Sequence, residues 1–120
     1  MLTLLVLSML FGGGTIEIFT AEIQAYVEQA IEAPERAAAA IESMERVNST
    51  LADLEEQRVT YLEALTAVNE RVDAPAEDYD KIIDKLWVAR RSALDTYVDE
   101  VFYLRETMTR EEWEAAFGAR

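Results

Sequence analysis

Cysteine and histidine are both absent from this chain of 120 residues, and the two absences exclude more chemistry than any motif in it suggests. Without cysteine there is no disulfide framework, no zinc–thiolate centre and no thiol nucleophile. Without histidine the usual general base and the commonest metal ligand are missing too. Serine, threonine and tyrosine hydroxyls remain, but no histidine base or nucleophile-elbow glycine pattern accompanies them, so no catalytic residue is assigned and no enzyme is expected. A di-metal bundle site built on Glu-x-x-His is closed for the same reason. No cofactor or metal site is expected. Positive charge is also scarce: 11 Lys and Arg stand against 24 Asp and Glu, for a net charge of −13. Such a field repels phosphate backbones and anionic headgroups, which argues against nucleic acid as a partner and against a membrane surface.

Helix-breaking residues are few. Three of the four glycines are contiguous at 12–14, the fourth is Gly118, and the two prolines are Pro34 and Pro75. The one long uncharged apolar run is Met1 to Phe11, MLTLLVLSMLF, followed by the glycines and a first charge at Glu17. Eleven residues fall short of the roughly 20 needed to span a bilayer but suit the apolar region of an export signal, with small residues placed for cleavage after Gly14. Two other readings stay open: membrane anchoring, with the run extended through Ile16 and Phe19, and a terminal segment packed on the bundle or on a partner. Residues 1–14 are therefore expected to be a signal-like or anchoring segment and 15–120 a single helical domain.

Between the prolines and beyond, two long segments carry heptad patterning. In the first, Ala37, Met44, Leu51, Arg58, Leu65 and Val72 interleave with Ala40, Val47, Leu54, Tyr61 and Val68 at alternating steps of three and four. In the second, Trp87, Leu94, Val101 and Met108 interleave with Ile83, Arg90, Tyr97 and Leu104. Neither shows the period of two that a strand requires. The expected fold is all-α: a long antiparallel helical hairpin turning at Asp73 to Asp78, a coiled-coil-like rod with arms of roughly 50 to 60 Å. A shorter amphipathic helix is expected from Thr15 to Glu32, with Ile16, Phe19, Ile23, Tyr26, Val27, Ala30 and Ile31 on one face. Pro34 at a first helical position opens the long first arm.

The best-specified local signal closes the second arm. Thr109 followed by Glu112 makes a capping box, and Met108 with Trp113 makes the matching hydrophobic staple. A short helix, Arg110 to Phe117, follows and folds back over the open end of the hairpin. The alanine run Ala37 to Ala40 permits close backbone approach. The sequon Asn48-Ser49-Thr50 falls in mid-helix.

Arg58 and Arg90 interrupt the two apolar seams. Pairing the arms about Pro75 opposes residues whose numbers sum to roughly 151, so Arg90 faces Tyr61 and the two guanidinium groups lie within about one helical turn. Arg58 has Glu55 three residues before it; Arg90 has no acid three or four residues away on its own helix. Arg58, Arg90 and Tyr61 are thus a candidate buried ion-pair or ligand site, with Glu22, Glu28, a second subunit or an anionic ligand to supply the carboxylate. Asp80 with Asp84, and Asp95 with Asp99 and Glu100, have helical spacing that could hold Ca²⁺ weakly. The second arm also carries more apolar surface than a two-helix seam requires. Trp87, Phe102, Trp113 and Phe117 form the candidate interaction surface, and thin rods bury so little area per residue that a homodimer of packed hairpins is expected.

The stretch from Leu104 to Trp113, a long helix running into Met108-Thr109-x-x-Glu112 and then a short helix, resembles the closing segment of the Spy and CnrX-like periplasmic helical-hairpin proteins. Met108 and Glu112 stand where that family's motif has leucine and glutamine, and local similarity covers about the last 40 residues. The resemblance implies an exported, dimeric, all-α protein acting as an ATP-independent chaperone or a metal-stress sensor. The expected function is accordingly that of a non-enzymatic helical interaction protein of the bacterial cell envelope, chaperone-like or a subunit of an envelope assembly, with a protein partner or client. The alternative is a cytosolic coiled-coil adaptor or complex subunit. A stress, anion or metal sensor comes third.

Overall fold

The computed structural model describes residues 18–118, which form four helices and no strand: α1 (Ala21–Ala30), α2 (Pro34–Asn69), α3 (Ala76–Thr107) and α4 (Arg110–Phe117). Helix α2 packs along α3 as an antiparallel hairpin, α1 lies on α2, and α4 lies on α1. The result is a rod of 62 × 22 × 18 Å. The apolar run Met1 to Phe11 and the cleavage position after Gly14 lie outside the described residues.

The local signals act where they stand. Pro34 occupies the first turn of α2, where its missing N–H costs nothing. Thr109 accepts the amide N–H of Glu112, whose carboxylate accepts the Thr109 N–H in return, so the capping box forms in full. Met108 and Trp113 both join the core at the open end. A Cβ at Gly118 would collide with the Glu114 carbonyl, and glycine lets that last turn close.

Two boundaries and the register differ from those expected. The first helix begins at Ala21, not Thr15. Thr20 caps it by accepting the Ile23 N–H at 3.3 Å, and the two preceding residues are held out of the helix as a buried plug, Ile18 and Phe19. Asn48 fixes that plug: its Oδ1 accepts the Phe19 N–H at 3.1 Å while its Nδ2 donates to the Phe19 carbonyl at 2.9 Å, and Gln24 Nε2 donates to the same carbonyl at 2.9 Å. The sequon asparagine is therefore a packing residue. The first arm ends at Asn69, so Val72 leaves the seam and lies fully exposed in the turn, which Arg71 closes on Asp78. The register is also displaced. Ser43 meets Glu100 and Asn69 meets Tyr79, pairs summing to 143 and 148 rather than 151.

Helix α3 keeps its heptad reading at the open end, where Leu104 and Met108 are buried and Leu94 and Tyr97 pack on the core, and is rotated away from it toward the turn. Its fully buried residues are Ala93 and Leu104, and Glu100 on the same side reaches α2. Ile83 and Trp87, assigned to the seam from the sequence, are exposed. Alanine at 93 and the short Ser43 allow the two helices to approach, whereas an indole at a two-helix contact would hold them apart.

Burial is uneven along the rod. The buried residues of α2 are Ala37, Ala40, Ser43, Met44, Val47 and Leu51, all in its first half, and the apolar ones meet Phe19, Val27, Ile31, Leu104, Met108 and Ala116 in one cluster. This open end has four helices to fill it. The turn end has two, and past Leu51 no residue of α2 is fully buried.

Candidate interaction surface

Where α1 and α4 stop, α3 continues with an apolar stripe that none of the described residues covers. Trp87 is 58% exposed, Phe102 53% and Val98 46%, with Ile83 and Val88 also exposed. Steps of four and three place Trp87, Leu94, Val98 and Val101 along one side of the helix, with Phe102 beside them. Leu94 is half-buried against the open-end core, so the stripe is continuous with that core. Aromatic and aliphatic groups left in water on a rigid helix are the usual material of protein-binding surfaces, and charged residues alternate with them here as a polar border.

Of the four aromatics singled out from the sequence, two lie on this stripe and two do not. Trp87 and Phe102 are open. Phe117 is half-buried, its ring 6.3 Å from Phe19 and 4.6 Å from Trp113, and serves to hold α4 against the plug. Trp113 is half-buried at the border. Arg105 lies between it and the stripe, its guanidinium 5.5 Å from the Trp113 ring and 5.7 Å from that of Phe102. Arg105, Met108, Thr109, Arg110, Trp113 and Glu114 line an open depression of about 400 Å³.

The arginines of the seam are each engaged locally. Arg58 donates from Nε and Nη2 to the two oxygens of Glu55, at 2.9 and 2.7 Å, and this raises its pKa further above the ordinary guanidinium value. The Arg90 guanidinium stacks 4.7 Å from the Trp87 ring, a contact worth about 0.5–1 kcal/mol at an exposed site. With a register sum of 148 at this end, Arg58 and Arg90 come to about the same height on the rod. Tyr61 is half-buried nearby on α2.

The strongest polar tie between the arms was missed in the sequence. Glu100 accepts the Ser43 hydroxyl at 2.5 Å and a fork from Arg46, Nε at 2.8 Å and Nη2 at 3.0 Å. The Arg46 bonds foremost, and Ser43 with them, hold the Glu100 carboxyl below the usual range against the opposing effect of its burial. Only the register could have revealed it, since 43 and 100 oppose one another at a sum of 143 and not at 151. Glu100 is thereby turned away from Asp95, which pairs with Arg91 at 3.3 Å. Of the acids read as a weak calcium site, Glu100 and Asp95 are taken up by separate ion pairs, and among the described residues no three acidic side chains gather to hold a metal ion. Nor, among them, is any helix long and apolar enough to cross a membrane.

No protein-family model, no curated protein and no solved structure matches the chain.

Proposed function

We propose that this is a non-enzymatic helical interaction protein of the bacterial cell envelope, which receives a protein partner or client on the uncovered stripe of α3. The observation that carries the reading is the division of the rod: an open end closed by four helices, and beyond it an apolar face on a rigid helix that none of the described residues covers. A rod this thin loses little by staying monomeric in its core and gains much by covering that face, so the protein is read as a homodimer whose exposed surfaces also serve chaperone-like binding or an envelope assembly. The resemblance to the Spy and CnrX-like hairpins, together with the signal-like run Met1 to Phe11, supports export; a cytosolic adaptor is the alternative.

Two measurements test the reading. Intact mass with cell fractionation should find a mature product beginning near Thr15 in the periplasm; a full-length cytosolic product turns the reading to the adaptor. Light scattering of a heat-denatured test enzyme should fall in the presence of the wild-type chain, and Trp87→Glu with Phe102→Glu should abolish the effect with helix content unchanged. Undiminished activity of that variant would remove the stripe from the function.

A further inference from the structure

We infer that the stripe of α3 is a self-complementary seam that pairs with the same stripe of a second copy, antiparallel, about a two-fold axis between Ser92 and Ala93. The inference rests on the homodimer reading above and names its face, direction and register.

The argument starts from charges left over inside one chain. Arg105 lies between Phe102 and Trp113, yet among the described residues no carboxylate pairs with it, in a protein of net charge −13. Asp80, at the other end of the same helix, has no cationic partner there either. Both residues lie on the line that runs through the stripe. At steps of four and three, Asp80, Asp84, Trp87, Arg91, Leu94, Val98, Val101 and Arg105 follow one another along α3, the spacing that a second helix reads as a seam.

An antiparallel copy reads that line backwards. In an antiparallel seam the residues that meet have numbers with a constant sum, and the sum 185 sets the ends and the aromatic step of the line in complementary pairs. Trp87 then meets Val98 of the second copy, a large residue against a small one, and Asp80 meets Arg105. Leu94 covers the stem of Arg91, whose own guanidinium is already bound to Asp95. At the same sum Ile83 meets Phe102, both exposed in the single chain, while Asp84 falls opposite Val101 at the border of the seam. A parallel pairing would instead set Asp80 on Asp80, Arg105 on Arg105 and indole on indole, so charge and volume both select the antiparallel arrangement. The same direction brings the acidic turn end of one rod, with Asp73 and Glu77, to the depression lined by Arg105 and Arg110 on the other. Glu114 already lines that depression and pairs with Arg110 at 3.4 Å, so the second copy brings a carboxylate to Arg105 alone.

The test is a charge exchange followed by sedimentation equilibrium on the full chain. Each interface contains the Asp80–Arg105 pair twice, so Asp80→Arg alone and Arg105→Asp alone should each raise the dimer dissociation constant about tenfold. The double variant D80R/R105D should return it to within about threefold of wild type. Because Arg105 also steadies Trp113, a second measurement leaves that residue intact: Arg91→Cys, on the seam beside the axis in a chain with no other cysteine, should oxidise to a disulfide-linked dimer, whereas Tyr79→Cys, far from the axis, should not. A monomeric wild type overturns both the inference and the homodimer reading. A wild-type dimer that is indifferent to the single reversals, is not rescued by the double, or cross-links at 79 rather than 91 overturns this seam and leaves the homodimer standing. A monomer that nonetheless binds a denatured client through Trp87 overturns the second copy as the occupant of the stripe.

Discussion

Replacing Asn48 by alanine should loosen the four-helix end of the rod more than its half-buried position on α2 suggests. Its side-chain amide pairs with both backbone groups of Phe19, a residue only 1% exposed. The two lost bonds are not equivalent. The Phe19 carbonyl keeps its bond from Gln24 Nε2, while the Phe19 N–H is left buried with no partner, at a cost of about 1–3 kcal/mol. A value of about 2 kcal/mol corresponds to a fall in Tm of roughly 10 °C for a domain of this size. Gln24→Ala supplies the control, since Asn48 still serves the carbonyl, and it should cost less than about 1 kcal/mol. The double variant should cost about 1 kcal/mol more than the two singles together, because the carbonyl then loses both donors. The assay is thermal and urea unfolding followed by circular dichroism. A parallel reading of indole fluorescence should respond through Trp113, which stacks on Phe117 and so on the Phe19 plug. An Asn48→Ala cost below about 0.5 kcal/mol, the range of ordinary surface substitutions, would refute the reasoning. So would strict additivity in the double variant.

Two smaller perturbations complete the set. Thr109→Ala removes the cap of α4 and should cost about 1 kcal/mol in urea unfolding, with Thr109→Ser close to wild type; equal losses for both would point away from the capping box. Stability should also depend on acid pH through Glu100 and Glu112, whose carboxyls are both held below the usual range, Glu100 foremost by Arg46 and Glu112 foremost by the Thr109 backbone N–H. Since the folded state keeps these groups charged at lower pH than the unfolded chain does, their contribution is complete above about pH 5 and declines as pH falls below about 4.3 toward the lowered values. Glu100→Gln should be less stable at neutral pH and lose less on acidification, and an acid limb as steep as wild type would contradict the assignment.

Much of the fold was legible because it rests on short-range chemistry. Helical period, Pro34 at a first turn, the Thr109–Glu112 box and the stop at Gly118 each act within a few residues, and each stands where the sequence puts it. The first helix was over-extended for a tertiary reason. Ile16, Phe19 and Ile23 keep helical spacing, but the backbone of Phe19 is bound more firmly by Asn48, 29 residues away, than another helical turn could bind it. Arg58 shows the opposite case, since Glu55 three residues before it was visible and is its partner.

The candidate surface divides along the same line. That α3 carries surplus apolar residues follows from composition and period alone, because every side chain's angle around a helix is set by its number. Which of those residues are surplus does not follow, because the rotation of α3 against α2 is decided by what meets across the gap: Ser43 and Arg46 on Glu100, and the small Ala93. Turning toward those contacts sends Ile83 and Trp87 outward and takes Glu100 out of the acidic group. The sequence by itself determined an all-helical, acidic hairpin without cysteine or histidine. Only the tertiary structure decided where four helices close a core and where two leave a face uncovered, since that depends on contacts between residues from 29 to 71 positions apart, whose register no local pattern encodes.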